Sequence, residues 1–414
     1  MQSAKSFEQG RRLWGCRLGL ALWVLIVAPS WAWSQSSAIH SVPTAPLSSG
    51  AQELIRGAFV GLEGPIVDEH VHIVGLGKGG TGCEVNPHML SRRHPFKRIL
   101  ANLYLSASGA KDFEHFDQEY VERLVGLARG FGHPVRLHIL ALDHAYHPDG
   151  SLDAEHTEFY VPNDYVVRLA EQYPDIFVPV ISVHPARADA LAELEKWAAK
   201  GVRYLKWLPN AQGIDAADPR WDPFYRRMRE LGIVLITHTG EEKAVAVRGG
   251  QVLGNPLRFR RALDAGVTVI MAHCASLGRN EDLDHPGRSA SNFSLFQRLM
   301  SEERYRGRLF GDISAMTQFN RLSVLRQVAA SPELQARLVN GSDYPLPAMD
   351  CVIWTAQLVR MGMITSAERR SLNEIFRRNP LLFDFVLKRI LRDPKTGQRL
   401  SDHVFSVVPT GEQR

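Results

Sequence analysis

Two histidines stand one residue apart in Asp68-Glu69-His70-Val71-His72. If this stretch is a strand, both imidazoles face the same way, because side chains alternate with a period of two. Two imidazoles on one face can grip one cation. Further polar residues follow apolar runs in the same manner: Lys206 in Tyr204-Leu205-Lys206-Trp207, His238 in Thr237-His238-Thr239-Gly240, His273 in Met271-Ala272-His273-Cys274, and Asp343 in Gly341-Ser342-Asp343-Tyr344-Pro345. Imidazole and carboxylate together suit a divalent metal, zinc above all, and a catalytic site leaves one position open for water. Each residue alone has an ordinary reading. A lone His-x-His is often a surface pair, His273 fits a core histidine, and Asp343 fits a turn residue ahead of Pro345.

The elements that must position these groups follow from the apolar pattern. Eight short β-branched runs, at 66–73, 135–142, 176–183, 202–207, 233–238, 267–273, 309–314 and 338–342, are expected strands. Helical stretches at 164–173, 188–200, 222–231, 257–265, 293–303 and 322–330 lie between them. Asn163 is the expected N-cap of the first, and Gly201, Gly232 and Gly266 follow the last turns of three others. Strands alternating with helices imply a parallel sheet, and eight such units imply an α/β fold closed into a (β/α)8 TIM barrel. Every polar residue named above then falls at the C-terminal end of a strand, where barrels of this kind carry their chemistry.

With five motifs in this order, the chain resembles the amidohydrolase superfamily over about residues 65 to 385. From Asn163-Asp164-Tyr165 to His238-Thr239-Gly240 it resembles the amidohydrolase 2 branch, which also holds the aminocarboxymuconate-semialdehyde decarboxylase type. The resemblance implies that His70, His72, His238 and Asp343 are metal ligands. It implies that Asp343 carries the proton of the attacking water, and that His273 serves a second metal or polarises the substrate. The segment around Lys206 resembles strand 4 of the binuclear branch, where a carboxylated lysine bridges two cations, so one or two ions are expected. The implied activity is hydrolysis of an ester, lactone or amide of a small molecule. The alternative is a metal-dependent decarboxylase, for which Arg92, Arg93 or Arg98 would clamp a substrate carboxylate. A barrel kept only as a binding module has no reason to retain both His273 and Asp343. Barrels of this kind often form homo-oligomers.

Other positions carry weaker expectations. Asp68 is a carboxylate that could support a ligand. His138, His144 and His147 lie near the end of strand 2, within reach of a substrate. Asp312 either faces the pocket or bonds a neighbouring loop, and Tyr344 and Pro345 fix a turn. The stretch 74–116 breaks the alternation, opens on Gly75-Leu76-Gly77-Lys78-Gly79-Gly80 and holds a basic helical piece at 92–105; it reads as an inserted loop that shapes the pocket. The glycines lack the helix and acidic residue of a dinucleotide motif. Residues 350–392 read as two or three further helices.

The start of the chain reads as a targeting segment. Arg11, Arg12 and Arg17 precede an apolar run at 18–28, then Pro29 and the small residues around Trp33. The run is shorter than the ~20 residues of a membrane span, so a cleaved leader is expected over an uncleaved anchor. Residues 1–34 are thus read as a signal peptide, 35–50 as a Ser/Pro-rich linker, 51–395 as the barrel and 396–414 as a C-terminal tail. The mature chain is expected to begin near Gln35, without a membrane span, and to be exported, periplasmic or secreted.

Composition fits this picture. The 414 residues are 45% hydrophobic and 22% charged, as in an ordinary globular chain. Of the net charge of +5, the leader's four basic and one acidic side chains account for +3. The remaining +2, with no basic stripe, argues against nucleic acid. Of four cysteines, Cys16 lies in the leader; Cys83, Cys274 and Cys351 are too few and scattered for a disulfide framework.

Overall fold

The apolar runs fold as strands buried on both faces, as parallel strands covered by helices must be. The computed structural model describes residues 46–243, 245, 249–349 and 351–411. The expected signal peptide and most of the expected linker lie outside the described residues. The strands are β1 (Ile66–His72), β2 (Val135–Leu140), β3 (Phe177–Ile181), β4 (Tyr204–Trp207), β5 (Val234–Thr237), β6 (Val269–Met271), β7 (Leu309–Asp312) and β8 (Leu338–Val339). They form one sheet of eight in chain order, with every pairing parallel.

The sheet closes through the segment that follows β8. Glu69 N–H donates to Asn340 O at 2.9 Å, Asp343 N–H to His70 O at 2.8 Å and His72 N–H to Tyr344 O at 2.9 Å. The fold is therefore a (β/α)8 TIM barrel, as expected. Inside it, Leu140, Val180, Tyr204, Val234, Ile236, Ile270 and Val339 pack as an apolar plug beneath the C-terminal mouth. The larger core lies between the sheet and its surrounding helices.

The register of β1 on β2 shifts between Asp68 and Val71. One extra residue on β1 lets consecutive side chains both reach the interior. Glu69 meets His138 at 2.7 Å, and His70 meets Lys206 at 3.0 Å. Simple alternation does not foresee this.

Helices Asn163–Gln172, Ala190–Ala199, Asp222–Glu230, Arg260–Asp264, Asn292–Ser301 and Leu322–Ala329 occupy the expected places. Gly201, Gly232 and Gly266 take φ values of 86°, 63° and 90°, the left-handed turn that ends a helix. Asn163 is not a cap. It is the first helical residue, and its amide instead bridges Ser182, accepting from its N–H at 2.7 Å and donating to its carbonyl at 2.9 Å. The expected N-cap yields to a tie across the end of β3.

The stretch 74–116 carries the helix Pro95–Ser108. Its glycine-rich start is held by buried Asp117, which accepts from Leu76 N–H at 2.7 Å, Gly77 N–H at 3.1 Å and the Thr81 hydroxyl at 2.5 Å. Among the described residues three α-helices follow β8, Thr355–Arg360, Ser366–Arg378 and Pro380–Ile390. Among the described residues no helix is long and apolar enough to cross a membrane.

The described part of the expected C-terminal tail packs against the barrel. Val404 and Phe405 are fully buried. Asn340 N–H donates to Val404 O at 2.8 Å, and Tyr204 Oη donates to Pro409 O at 2.9 Å, so this segment seals the barrel floor. The β8 end of the mouth is thereby tied to the floor. Truncating Phe405→Ala is expected to cost about 3–5 kcal/mol in urea unfolding, as for any core phenylalanine. A loose tail would give no measurable change.

Candidate metal centre

At the mouth of the barrel, strand ends bring polar groups together that burial alone would forbid. His70, Lys206, His238, His273, Asp312, Ser314 and Asp343 are all 5% exposed or less. His70 Nε2 lies 3.3 Å from His72 Nε2, 3.5 Å from Asp343 Oδ1 and 3.0 Å from Lys206 Nζ. His72 Nε2 lies 3.1 Å from the same Asp343 oxygen. Two imidazole nitrogens and a carboxylate oxygen thus face one point. His273 stacks beside His70 with ring centroids 5.2 Å apart, and its Nε2 is 4.0 Å from Asp343 Oδ2. His238 lies against His273 with centroids at 5.1 Å; its Nδ1 is 3.3 Å from Glu242 Oε2, while its buried Nε2 has no partner.

The cluster is organised by Asp312. Its Oδ2 lies 2.9 Å from His70 Nδ1, which makes Nδ1 the protonated nitrogen and leaves the Nε2 lone pair aimed at the cluster. Its Oδ1 accepts from His273 N–H at 2.8 Å, from Ser314 N–H at 2.9 Å and from the Ser314 hydroxyl. His273 Nδ1 in turn lies 3.0 Å from Ser314 O. Asp312 therefore orients a neighbouring side chain and turn, which decides between its two sequence readings. Its place at the end of β7 was the available signal.

The backbone is strained at the same place. His273, Cys274 and Ala275 take φ values of 55°, 48° and 51°, and Asp343 takes 62°. Each left-handed non-glycine residue costs of order 1–2 kcal/mol. Asp312 repays part of that cost by holding His273 N–H. Gly341 is required for a different reason: a Cβ there would sit 2.9 Å from His70 Cβ and 3.0 Å from Ser314 Cβ.

Burial fixes the charge states. Burial, reinforced by the nearby Lys206 charge, lowers the pKa of His70. Burial and the neighbouring His273 push His238 well below the usual histidine range. Burial, then Arg321, lowers His273 to about 3. All three present neutral lone pairs at neutral pH. Burial alone would raise Asp343, but His70, His72 and His273 outweigh it and hold the carboxyl well below its usual range. Burial lowers Lys206 to about 8. The donor set fits a divalent cation: neutral imidazoles, one carboxylate, and an orphaned buried Nε2 on His238. His70, His72 and Asp343 form one group able to hold an ion, and His70, His273 and Asp312 another.

A cavity of 310 Å³ opens over these residues. Leu103 and Tyr104 from the 74–116 stretch, Phe159, Leu208 and Leu346 give it an apolar wall. His138 is buried below the site beside Glu69, His144 stacks on Tyr160 at 3.7 Å, and His147 is half exposed near Asp153; none lines the cavity. Arg92 and Arg93, in the turn ahead of helix Pro95–Ser108, are exposed, Arg98 on that helix is half-buried, and none of the three lines the cavity. Asp68, which burial pushes up to about 6, accepts from Ser342 N–H at 2.8 Å and His70 N–H at 3.2 Å. It fastens backbone rather than a ligand side chain. Tyr344 is fully buried beside the β1 seam, its backbone O accepting from His72 N–H.

The amidohydrolase family model matches residues 67–357, well over half of the chain. The chain belongs to the amidohydrolase family. No curated protein matches it in sequence. Among solved structures it is similar to a TIM-barrel protein of Bordetella bronchiseptica, at 19% identity and a TM-score of 0.47 over 76% of this chain and 98% of that one. It is also similar to an amidohydrolase of Burkholderia multivorans with bound zinc, at 13% identity and a TM-score of 0.42 over 74% and 95% of the two chains. A third similar structure is 5-carboxyvanillate decarboxylase of Sphingomonas paucimobilis, at 10% identity and a TM-score of 0.38 over 77% and 97%.

The role of Asp312 in this amidohydrolase can be separated from any activity. Asp312→Ala strips the acceptor from two buried N–H groups and from His70, and is expected to cost about 3–5 kcal/mol of stability in denaturant. Asp312→Asn, which keeps one acceptor oxygen, is expected to cost less than half of that. Equal losses would show that the carboxylate only fills space.

Proposed function

We propose that the chain is a metal-dependent hydrolase that cleaves an ester, lactone or amide bond of a small molecule. The observation that carries this reading is the convergence of His70 Nε2, His72 Nε2 and Asp343 Oδ1. His70, His72, His238 and Asp343 would hold a divalent cation, zinc by donor chemistry. Such an ion supplies Lewis acidity, polarising a carbonyl and lowering the pKa of water to about 7.

The protein's own groups do the rest. Asp343 is ionised, with one oxygen toward the histidine pair and the other toward His273. It takes a proton from the attacking water as the new C–O bond forms. It returns that proton to the leaving oxygen or nitrogen as the old bond breaks. His273, fixed by Ser314 and by the Asp312 bond to its N–H, faces the same space and orients the substrate carbonyl. The apolar wall excludes bulk water, which strengthens each of these interactions.

With a turned-over substrate in hand, heavy-oxygen water is expected to label the product acid, with no carbon dioxide released. Asp343→Asn is expected to lower kcat by about 10²–10⁴-fold, the range for loss of a proton-transfer group. Carbon dioxide release without label would make the chain a decarboxylase. Near-normal turnover in Asp343→Asn would remove the proposed proton carrier.

A binuclear version of this reading is favoured by Lys206. The amine is 2% exposed, and among the described residues no carboxylate lies within ion-pair distance of it; its side-chain contact is His70 Nε2. A lysine so placed suits addition of carbon dioxide to the neutral amine, with loss of one proton, to give an anionic carbamate. The carbamate would offset the mutual repulsion of two cations, with His238 and His273 serving the second. Elemental analysis is expected to give about two metal equivalents. Lys206→Ala is expected to lower that content, and a short carboxylic acid to restore part of it. A single tightly held ion, unchanged in Lys206→Ala, contradicts the bridge.

A further inference from the structure

The cavity contains a cation that the hydrolytic reading leaves without a task. Arg321 follows β7 at the start of helix Leu322–Ala329, lines the cavity, and is only 7% exposed. Its Nη1 donates to Ser276 Oγ at 2.6 Å, on the turn that carries His273. Its Nε is buried without a hydrogen-bond partner, and among the described residues no acceptor meets Nη2. A buried guanidinium with unmet donors is costly, since each unpaired donor forfeits its hydration.

Nearby acids do not meet that need. Glu241 pairs with Lys243 at 3.8 Å, Glu242 lies against His238 at 3.3 Å, and Asp343 faces His70 and His72. Among the described residues none is within ion-pair distance of Arg321. The edge left unpaired, Nε with Nη2, is the edge of a guanidinium that takes both oxygens of a carboxylate side-on. Gln318 and Asn320 line the same wall, and Asn320 Oδ1 is also buried without a partner. The start of the helix adds partial positive charge. Glu241, Glu242 and Asp343 around it disfavour a doubly charged group such as a phosphate.

We propose that Arg321 anchors a carboxylate of the substrate, so that the small molecule cleaved is an acid carrying a second, reacting carbonyl group. This deepens the hydrolytic reading and rests on it for the reacting bond, but not for the anion site. With 310 Å³ of space, the cavity holds about ten water volumes, enough for a ring or short chain bearing both groups. Its apolar wall would take the body of that molecule, Arg321 its carboxylate end, and the histidine cluster its reacting carbonyl. The clamp that the decarboxylase alternative would have placed on Arg92, Arg93 or Arg98 is thus supplied by the segment after β7.

Binding and turnover test the two layers separately. Calorimetric titration of the purified full chain with benzoate is expected to show at least a tenfold weaker Kd in Arg321→Gln than in wild type. Arg321→Lys should fall between them, and benzyl alcohol should bind all three alike, which also verifies folding. Benzoate affinity unchanged by Arg321→Gln, or phenyl phosphate binding more tightly than benzoate through Arg321, overturns the proposal. For turnover, the paired probes are 4-nitrophenyl hydrogen glutarate and 4-nitrophenyl pentanoate. Wild type is expected to prefer the acid by about 100-fold in kcat/KM, and Arg321→Gln to lose that preference mainly through KM. If neither ester is cleaved while benzoate binding still depends on Arg321, the hydrolytic reading fails and the carboxylate site stands.

Discussion

A single buried hydrogen bond, from the His70 ring to Asp312, organises the mouth of this barrel. An imidazole can present a lone pair on either nitrogen, and only its partner decides which. With Nδ1 committed to Asp312, Nε2 is turned toward His72, Asp343 and Lys206. The other oxygen of Asp312 holds His273 N–H and Ser314 N–H, so one carboxylate sets both histidines that flank Asp343. Removing it would undo the orientation of the His70 ring, the turn after β6 and the placement of His273 together.

The rest of the structure serves this constraint. The closing bonds between β1 and the segment after β8 place Asp343 opposite His70 and His72, and Asp68 fastens the same seam. Behind that seam, buried Lys388 donates to Gly341 O at 2.6 Å and pairs with Asp384 at 2.5 Å. The floor segment around Phe405 bonds to the β8 extension at Asn340. Left-handed backbone at His273 through Ala275 and at Asp343 persists because these contacts over-determine it. Strain and rigidity meet where the candidate ligands converge.

Much of this was legible in the sequence, for identifiable reasons. Eight apolar runs separated by amphipathic stretches admit few folds, and polar residues at their ends mark the mouth of a barrel. The six residues read as site candidates, His70, His72, Lys206, His238, His273 and Asp343, do meet around one cavity. What was not legible depends on contacts between distant segments. The β1 bulge that turns Glu69 and His70 both inward leaves no mark in the alternation. Asp312 and Asp68 look alike as strand carboxylates, yet one orients an imidazole and the other backbone. Arg321 sits beyond β7 among ordinary helix-start residues, whereas Arg92, Arg93 and Arg98 drew attention as a basic run and do not line the cavity. The stretch 396–414 read only as a C-terminal tail because its few apolar residues reveal their packing only beneath the barrel.

The most direct measurement is of the proton on His70. Long-range proton–nitrogen correlation spectra of metal-free protein labelled at histidine report which ring nitrogen carries hydrogen. The account predicts a protonated Nδ1 and a bare Nε2 for His70, with that preference lost in Asp312→Ala. A His70 protonated at Nε2 in the wild type would contradict the claim that Asp312 aims the ring at the metal position.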